Sequence, residues 1–182
     1  MLEFSVAPSG RPGAGEFAPY ASEDIDLVAG DDAVVALASQ LELSSLLFGG
    51  LSDDKIEELT YAPGRWTFKE VLGHLADDER IFAYRALCIA RDDERPLPGF
   101  DENADLETAG FESRRLDDLI SEYRAVRQAS IAMFSGLPET AWRRRGLIAG
   151  YTASVRGLAF HIAGHELHHL RDLKERYLSQ LG

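Results

Sequence analysis

The stretch that decides the fold is the last helical run, SVRGLAFHIAGHELHHLRDLKERYL, residues 154–178. Its apolar positions Val155, Leu158 and Ile162 recur at the spacing of an amphipathic helix that faces a core. The stripe then continues through His165 and His169 to Leu173, so two imidazoles occupy places where a bundle helix ordinarily carries Leu or Ile. Residues four apart sit one turn apart on the same face, which lets both rings reach one ion. Ser154 is the expected N-cap. His161 falls to one side of this seam, and His168 further round, toward solvent or a neighbouring helix.

Working outward, a second seam has the clearest start in the chain. Thr67-Phe68-Lys69-Glu70 fits the capping box and opens a helix that runs to about Asp92. Its stripe is Val71, His74, Asp78, Ile81, Arg85 and Cys88, which puts His74 on an inward face with Asp78 one turn on. Helical patterns over 31–48 and 113–134 supply two more long elements, and a short helical turn is expected over 52–59. With no convincing strand pattern, the chain is expected to be all-α, a four-helix bundle. RPLPGFDEN, residues 95–103, must be loop, so the second and third long helices are joined by a long crossover suited to covering a pocket. Pro8, Pro12 and Pro19, with Gly10, Gly13 and Gly15, make residues 1–28 an irregular N-terminal arm and leave 29–182 as the bundle domain.

A chain of 182 residues and 20.1 kDa suits one domain. Its net charge of −12 argues against nucleic acid and against anionic membrane surfaces as partners. No apolar leader and no spanning stretch is visible, so a soluble cytoplasmic protein is expected. The single cysteine, Cys88, excludes an internal disulfide and any multi-thiolate metal site, and is read as a small core residue. Arg143-Arg144-Arg145 is read as a solvated bend paired with acidic neighbours.

His74, His165 and His169 together make a three-imidazole site with open positions, suited to a divalent cation such as zinc or nickel and to a small-molecule substrate. Structural histidines bonded to carbonyls are the alternative, but three inward rings on two seams would be costly to bury unpaired. Asp78 is either a fourth ligand, a carboxylate orienting His74, or the ion-pair partner of Arg85 or of a histidine on the last helix. HELHH, residues 165–169, matches H-E-x-x-H and puts Glu166 where a general base would stand. Too little chain follows for a downstream third ligand, so a zincin protease is disfavoured and Glu166 also reads as a salt-bridged residue. Trp66, Phe100 and Tyr20 are candidate pocket walls.

Three of these stretches also carry a family resemblance. PGRWTFKEVLGHLADDER (63–80) resembles the W-[ST]-x-x-E-x-x-x-H-L segment of the DinB-like superfamily of DinB/YfiT-type metalloenzymes. RPLPGFDEN resembles its Pro-rich pocket loop, and HIAGHELHHLRDL (161–173) its terminal H-x-x-x-H helix. The arm over 11–28 is similar to a leader found in one branch. The resemblance implies a four-helix bundle, often a homodimer, with a divalent metal on His74, His165 and His169. It implies thiol S-transferase chemistry with a low-molecular-weight thiol, or alternatively metal-dependent hydrolysis; a non-catalytic metal-binding stress-response module is the reading from another class. His161 is left as an outer residue of the site.

Overall fold

The computed structural model describes residues 9–56, 59, 60, 62 and 64–181. Seven helices are numbered in chain order: α1 Ser22–Leu27, α2 Ala33–Phe48, α3 Asp53–Ile56, α4 Phe68–Ala90, α5 Glu102–Ala109, α6 Leu116–Ser135 and α7 Val155–Asp172. The four long ones form the bundle, with α4 packed on α6 and α7, and α2 packed on the same two. Local chemistry sets their starts. The Thr67 hydroxyl accepts from the Glu70 N–H while Glu70 accepts from the Thr67 N–H at 2.7 Å, the reciprocal capping box. Ser154 caps α7 by accepting from Gly157 N–H, and Asp32 caps α2. The helical turn expected over 52–59 is seen as α3, and residues 57 and 58 lie outside the described residues. Beyond Asp172 the chain stays helical in a wider π-turn, Leu173–Tyr177.

Three elements were not expected. A hairpin precedes α7, where no strand was anticipated: β1 Arg145–Ile148 pairs antiparallel with β2 Tyr151–Ser154. Its two-residue loop, Ala149-Gly150, has both φ angles positive, the turn that matches strand twist. The crossover holds a helix, α5, inside what the Pro-rich segment suggested was loop throughout. Leu97 joins the crossover to the hairpin through Leu97 N–H to Leu147 O and Ala149 N–H to Leu97 O. The arm carries α1 at its end, packed along α7.

That packing depends on two glycines of α7. A methyl group on Gly157 would sit 2.0 Å from Glu16 O, and one on Gly164 would sit 2.2 Å from Asp24 O. Only glycine lets the arm's backbone lie this close. Glu16 then fixes the arm by pairing with Arg156 through both carboxylate oxygens, at 2.7 Å from Nε to Oε2. That pairing is the chief reason its carboxyl is held down at about 2.

Two apolar clusters fill the bundle. One lies around Leu37, Phe82, Phe134, Trp142 and Phe160, the other around Phe48, Phe68, Leu72, Tyr123 and Leu173. Between them runs a buried polar layer. Arg127 of α6 is 1% exposed and lies 2.9 Å from Glu79 of α4. It also pairs with Glu166 of α7 and reaches Gln40 Oε1 of α2. Tyr123 donates to Glu166 and contacts the Ser44 hydroxyl at 3.0 Å.

Removing the guanidinium would strand two buried carboxylates. Arg127→Met is expected to cost about 3–5 kcal/mol by denaturant unfolding. Glu16→Gln should cost about 2 kcal/mol near neutral pH, a Tm drop of roughly 4–8 °C. Because Glu16 titrates lower folded than unfolded, its contribution is complete above its ordinary value of 4.5 and is lost as pH falls toward about 2. Melts of the two proteins should therefore converge across that window.

Candidate metal centre

Burial along α4 and α7 follows the two seams. The α4 stripe places His74 inside the bundle, and the α7 stripe brings His165 and His169 beside it. His165 Nε2 lies 3.2 Å from His74 Nε2 and 3.0 Å from His169 Nε2. The candidate ligand nitrogens of all three rings fall within 4.8 Å of one another. Imidazole nitrogens about 2.1 Å from one shared ion stand roughly 3.0–3.4 Å apart at cis or tetrahedral angles, so the observed spacing suits a single cation. The donors suit it as well. Burial lowers His74 to about 4, and burial with the neighbouring His74 and His168 rings lowers His169 to about 3. His165 is pushed well down by burial and then by the surrounding histidines. Neutral imidazoles present lone pairs, which is the form that ligates.

Of the alternatives open for Asp78, the geometry puts it nearest a histidine of the last helix. Its Oδ2 lies 3.3 Å from His165 Nδ1, so the carboxylate faces the last helix rather than His74 on its own. The contact falls short of a hydrogen bond, since Asp78 Oδ2 has no hydrogen-bond partner among the described residues, while Nε2 of His165 is turned toward the other two rings. Burial, reinforced by the Glu102 carboxylate, holds the Asp78 carboxyl well above its usual range. The pocket thus has a buried carboxyl group, with the Arg85 guanidinium acting against the shift, beside three neutral donors.

Glu166 stands elsewhere. One residue along α7 from His165 is about 100° of rotation, which carries Glu166 off the histidine seam and onto Arg127 and Tyr123. It is not placed to serve as a base at the histidines. His161 is buried, with its ring 5.7 Å from that of His165 and 4.1 Å from that of Phe82. His168 turns outward to Asp24, at 2.9 Å.

The predicted aromatic walls do reach the site. Trp66 packs on His74 with centroids 4.8 Å apart and lies nearly parallel to His169. Phe100 meets Phe82, and Tyr20 meets His161 edge to face. Two cavities open onto His169. One of about 310 Å3 is walled by Trp66, Asp172 and Tyr177, and one of about 680 Å3 by Tyr20, Asp78, Phe100 and His161. Glu102 and Asn103 of α5 border both. Asp24 and Glu102 had not been singled out from the sequence, where they look like ordinary surface acids; the long crossover was the only pointer to Glu102.

Gly73, just before His74, explains how the crossover closes here. A methyl group on it would lie 2.4–2.6 Å from the Phe111 ring, so the bare backbone lets Phe111 seat against α4. The end of the crossover is thereby pinned next to the histidines.

Comparison with known proteins agrees with this architecture. No curated protein matches the chain. Among solved structures, YfiT from Bacillus subtilis, described as a probable metal-dependent hydrolase with an unusual four-helix bundle topology, superposes with a TM-score of 0.65. The match covers 91% of each chain at 15% sequence identity, a likeness of fold. The family model for the DinB superfamily matches residues 36–173, which takes in most of the bundle and all three converging histidines, and the chain belongs to that superfamily.

Proposed function

We propose that this chain is a metal-dependent enzyme in which His74, His165 and His169 hold one divalent cation, zinc or nickel, that serves a reaction of a small-molecule substrate. The observation that carries the reading is the meeting of three neutral imidazoles from two helices at ion-sharing distances beside the buried Asp78 side chain. A divalent cation in such a site acts as a Lewis acid and lowers the pKa of a water or thiol next to it. Asp78 stands beside His165 Nδ1, where its carboxylate would help orient the ring around a bound cation. Trp66 holds His74 and His169 in place from the other side, and the crossover limits the entry of water.

Thiol S-transfer, with a low-molecular-weight thiol as nucleophile in a cytoplasmic homodimer, is the finer reading that the family resemblance supports. Hydrolysis is the second, supported by the description of YfiT. Thiol-conjugation and hydrolysis assays on a common substrate panel separate the two. Metal without either activity would leave a non-catalytic metal-binding module.

Purified protein is expected to hold one equivalent of metal by elemental analysis, and each of His74→Ala, His165→Ala and His169→Ala to abolish it. At a free metal concentration of about 100 times Kd, linkage predicts about 2.7 kcal/mol of added stability, a Tm rise of roughly 5–10 °C that chelator reverses. Absence of metal, together with melts that chelator leaves unmoved, would sink the proposal. Asp78→Asn keeps the shape but removes the carboxylate charge beside His165 Nδ1. It should loosen metal binding about 10–100-fold in competition with a chromogenic chelator.

A further inference from the structure

Residues 101–110 of the crossover stand beside the histidines with little to hold them. Their ends are fixed. On one side Arg85 Nη2 donates to Pro98 O at 2.7 Å and Phe100 meets Phe82; on the other, Phe111 is seated against Gly73. Between these anchors only Leu106 is buried, at 9% exposed, with Ala109 half-buried against the same apolar cluster. The hydrogen bonds of the stretch are local. Asp101 accepts from the N–H groups of Asn103 and Ala104, Thr108 donates to Asp105 O, and Gly110 O accepts from Ser113. Among the described residues, no hydrogen bond or ion pair ties residues 101–110 to α4, α6 or α7.

The contact of α5 with α4 is also open beneath. A cavity of about 20 Å3 lies between them, with His74, Asp77 and Asp78 on one side and Glu102, Asp105 and Leu106 on the other. The gap forfeits dispersion contacts that would otherwise hold α5 down. Its charged groups are of one sign. Asp77 is paired with Arg80, and the Arg85 guanidinium offsets Asp78 in part without lining the gap. Glu102 and Asp105 have no ion pair among the described residues, so their repulsion from α4 works against the Leu106 contact. A segment with so few buried apolar contacts and no tertiary hydrogen bonds opens locally, well below the free energy of global unfolding. Glu102 and Asn103 border both larger cavities at His169, so lifting them would join the two into one cleft.

We propose that residues 101–110 are a lid on the three-histidine site, latched by Leu106 and lifting between the Phe100 and Phe111 anchors, and that a cation on the histidines draws it shut. The drawing shut rests on the metal centre proposed above; the lifting does not. Glu102 shares a cavity with each of His74 and His169, and Asp105 shares one with His74. A positive charge there attracts both carboxylates and offsets the acids of α4 that oppose them. The empty site is then the accessible one and the loaded site the covered one, the order in which a lid admits an ion and afterwards shields it from water.

The test is hydrogen exchange, read by mass spectrometry, on the full chain near pH 7, chelator-stripped and zinc-loaded, with metal content measured on the same samples. In stripped protein the amides of 104–110 should exchange at least about 100-fold faster than those in the middle of α4 and α6. Leu106→Ala should speed this stretch about tenfold further and leave α4 and α6 unchanged. Zinc should slow it about threefold to tenfold at about 0.01 M salt, and less than about twofold at about 1 M. Glu102→Gln combined with Asp105→Asn should bring the zinc response at low salt below about twofold. Failure of the metal centre would show as absent zinc with the Leu106→Ala result intact. The lid is overturned if 104–110 exchanges no faster than α4 and α6, or if Leu106→Ala speeds all three alike. Its closure by the cation is overturned if zinc is bound and the exchange of 104–110 does not change.

Discussion

One guanidinium ties the bundle together. Arg127 projects from α6, pairs with Glu79 of α4 and Glu166 of α7, and reaches Gln40 of α2, so all four long helices meet at a single buried group. Charges so deeply buried add little net stability, because desolvation consumes most of the attraction. What they impose is rotation. Each helix must turn the correct side chain toward Arg127, and mispacked alternatives would strand an ion. The consequence falls on the neighbouring residues: Asp78 precedes Glu79, and His165 precedes Glu166. With about 100° between successive side chains, a helix that aims Glu79 or Glu166 into the polar layer aims Asp78 or His165 into the pocket. The ionic layer and the three-histidine cluster are thus two faces of the same pair of helices, set by one rotation.

The remaining elements close the site from two sides. The crossover passes over His74 with Phe111 seated on Gly73, and it is tied to the hairpin through Leu97. The arm comes from the other side, where Gly157 and Gly164 let its backbone lie directly on α7 and bring Tyr20 and Asp24 to the cavity rim. Both segments are irregular by composition and rich in proline and glycine. Such segments follow a surface closely without needing an apolar face of their own, which is why they can line a pocket that the helices alone would leave open.

The seams of α4 and α7 were legible in the sequence because burial on a helix repeats with its period. The three histidines fell on that period, and the caps at Thr67 and Ser154 marked the helix starts with local chemistry. The features that escaped depend on tertiary partners. α5 buries only Leu106, so no stripe announces it. The hairpin strands are four residues each and sit beside a basic run that resembled a solvated bend. Asp78 lies inward, and of the partners the sequence left open the nearest stands across the helix interface, a choice that counting along one helix does not decide. The role of Glu166 could not be read from HELHH alone, since the motif fixes its angle from His165 but not what waits on that side.

The inventory of the two cavities constrains the chemistry further. Among the described residues, neither is lined by a cysteine, a serine, a threonine or a lysine, and Cys88 packs against the apolar cluster instead. The protein therefore offers the site no thiol, aliphatic hydroxyl or amine nucleophile of its own. What it offers is imidazole, carboxylate and aromatic surface, groups that bind an ion, orient it and hold a proton. A thiol or aliphatic hydroxyl at these cavities would therefore have to come with a bound molecule. The two cavities meet at His169, so a molecule in either one would lie beside the same imidazole, approaching it from a different direction.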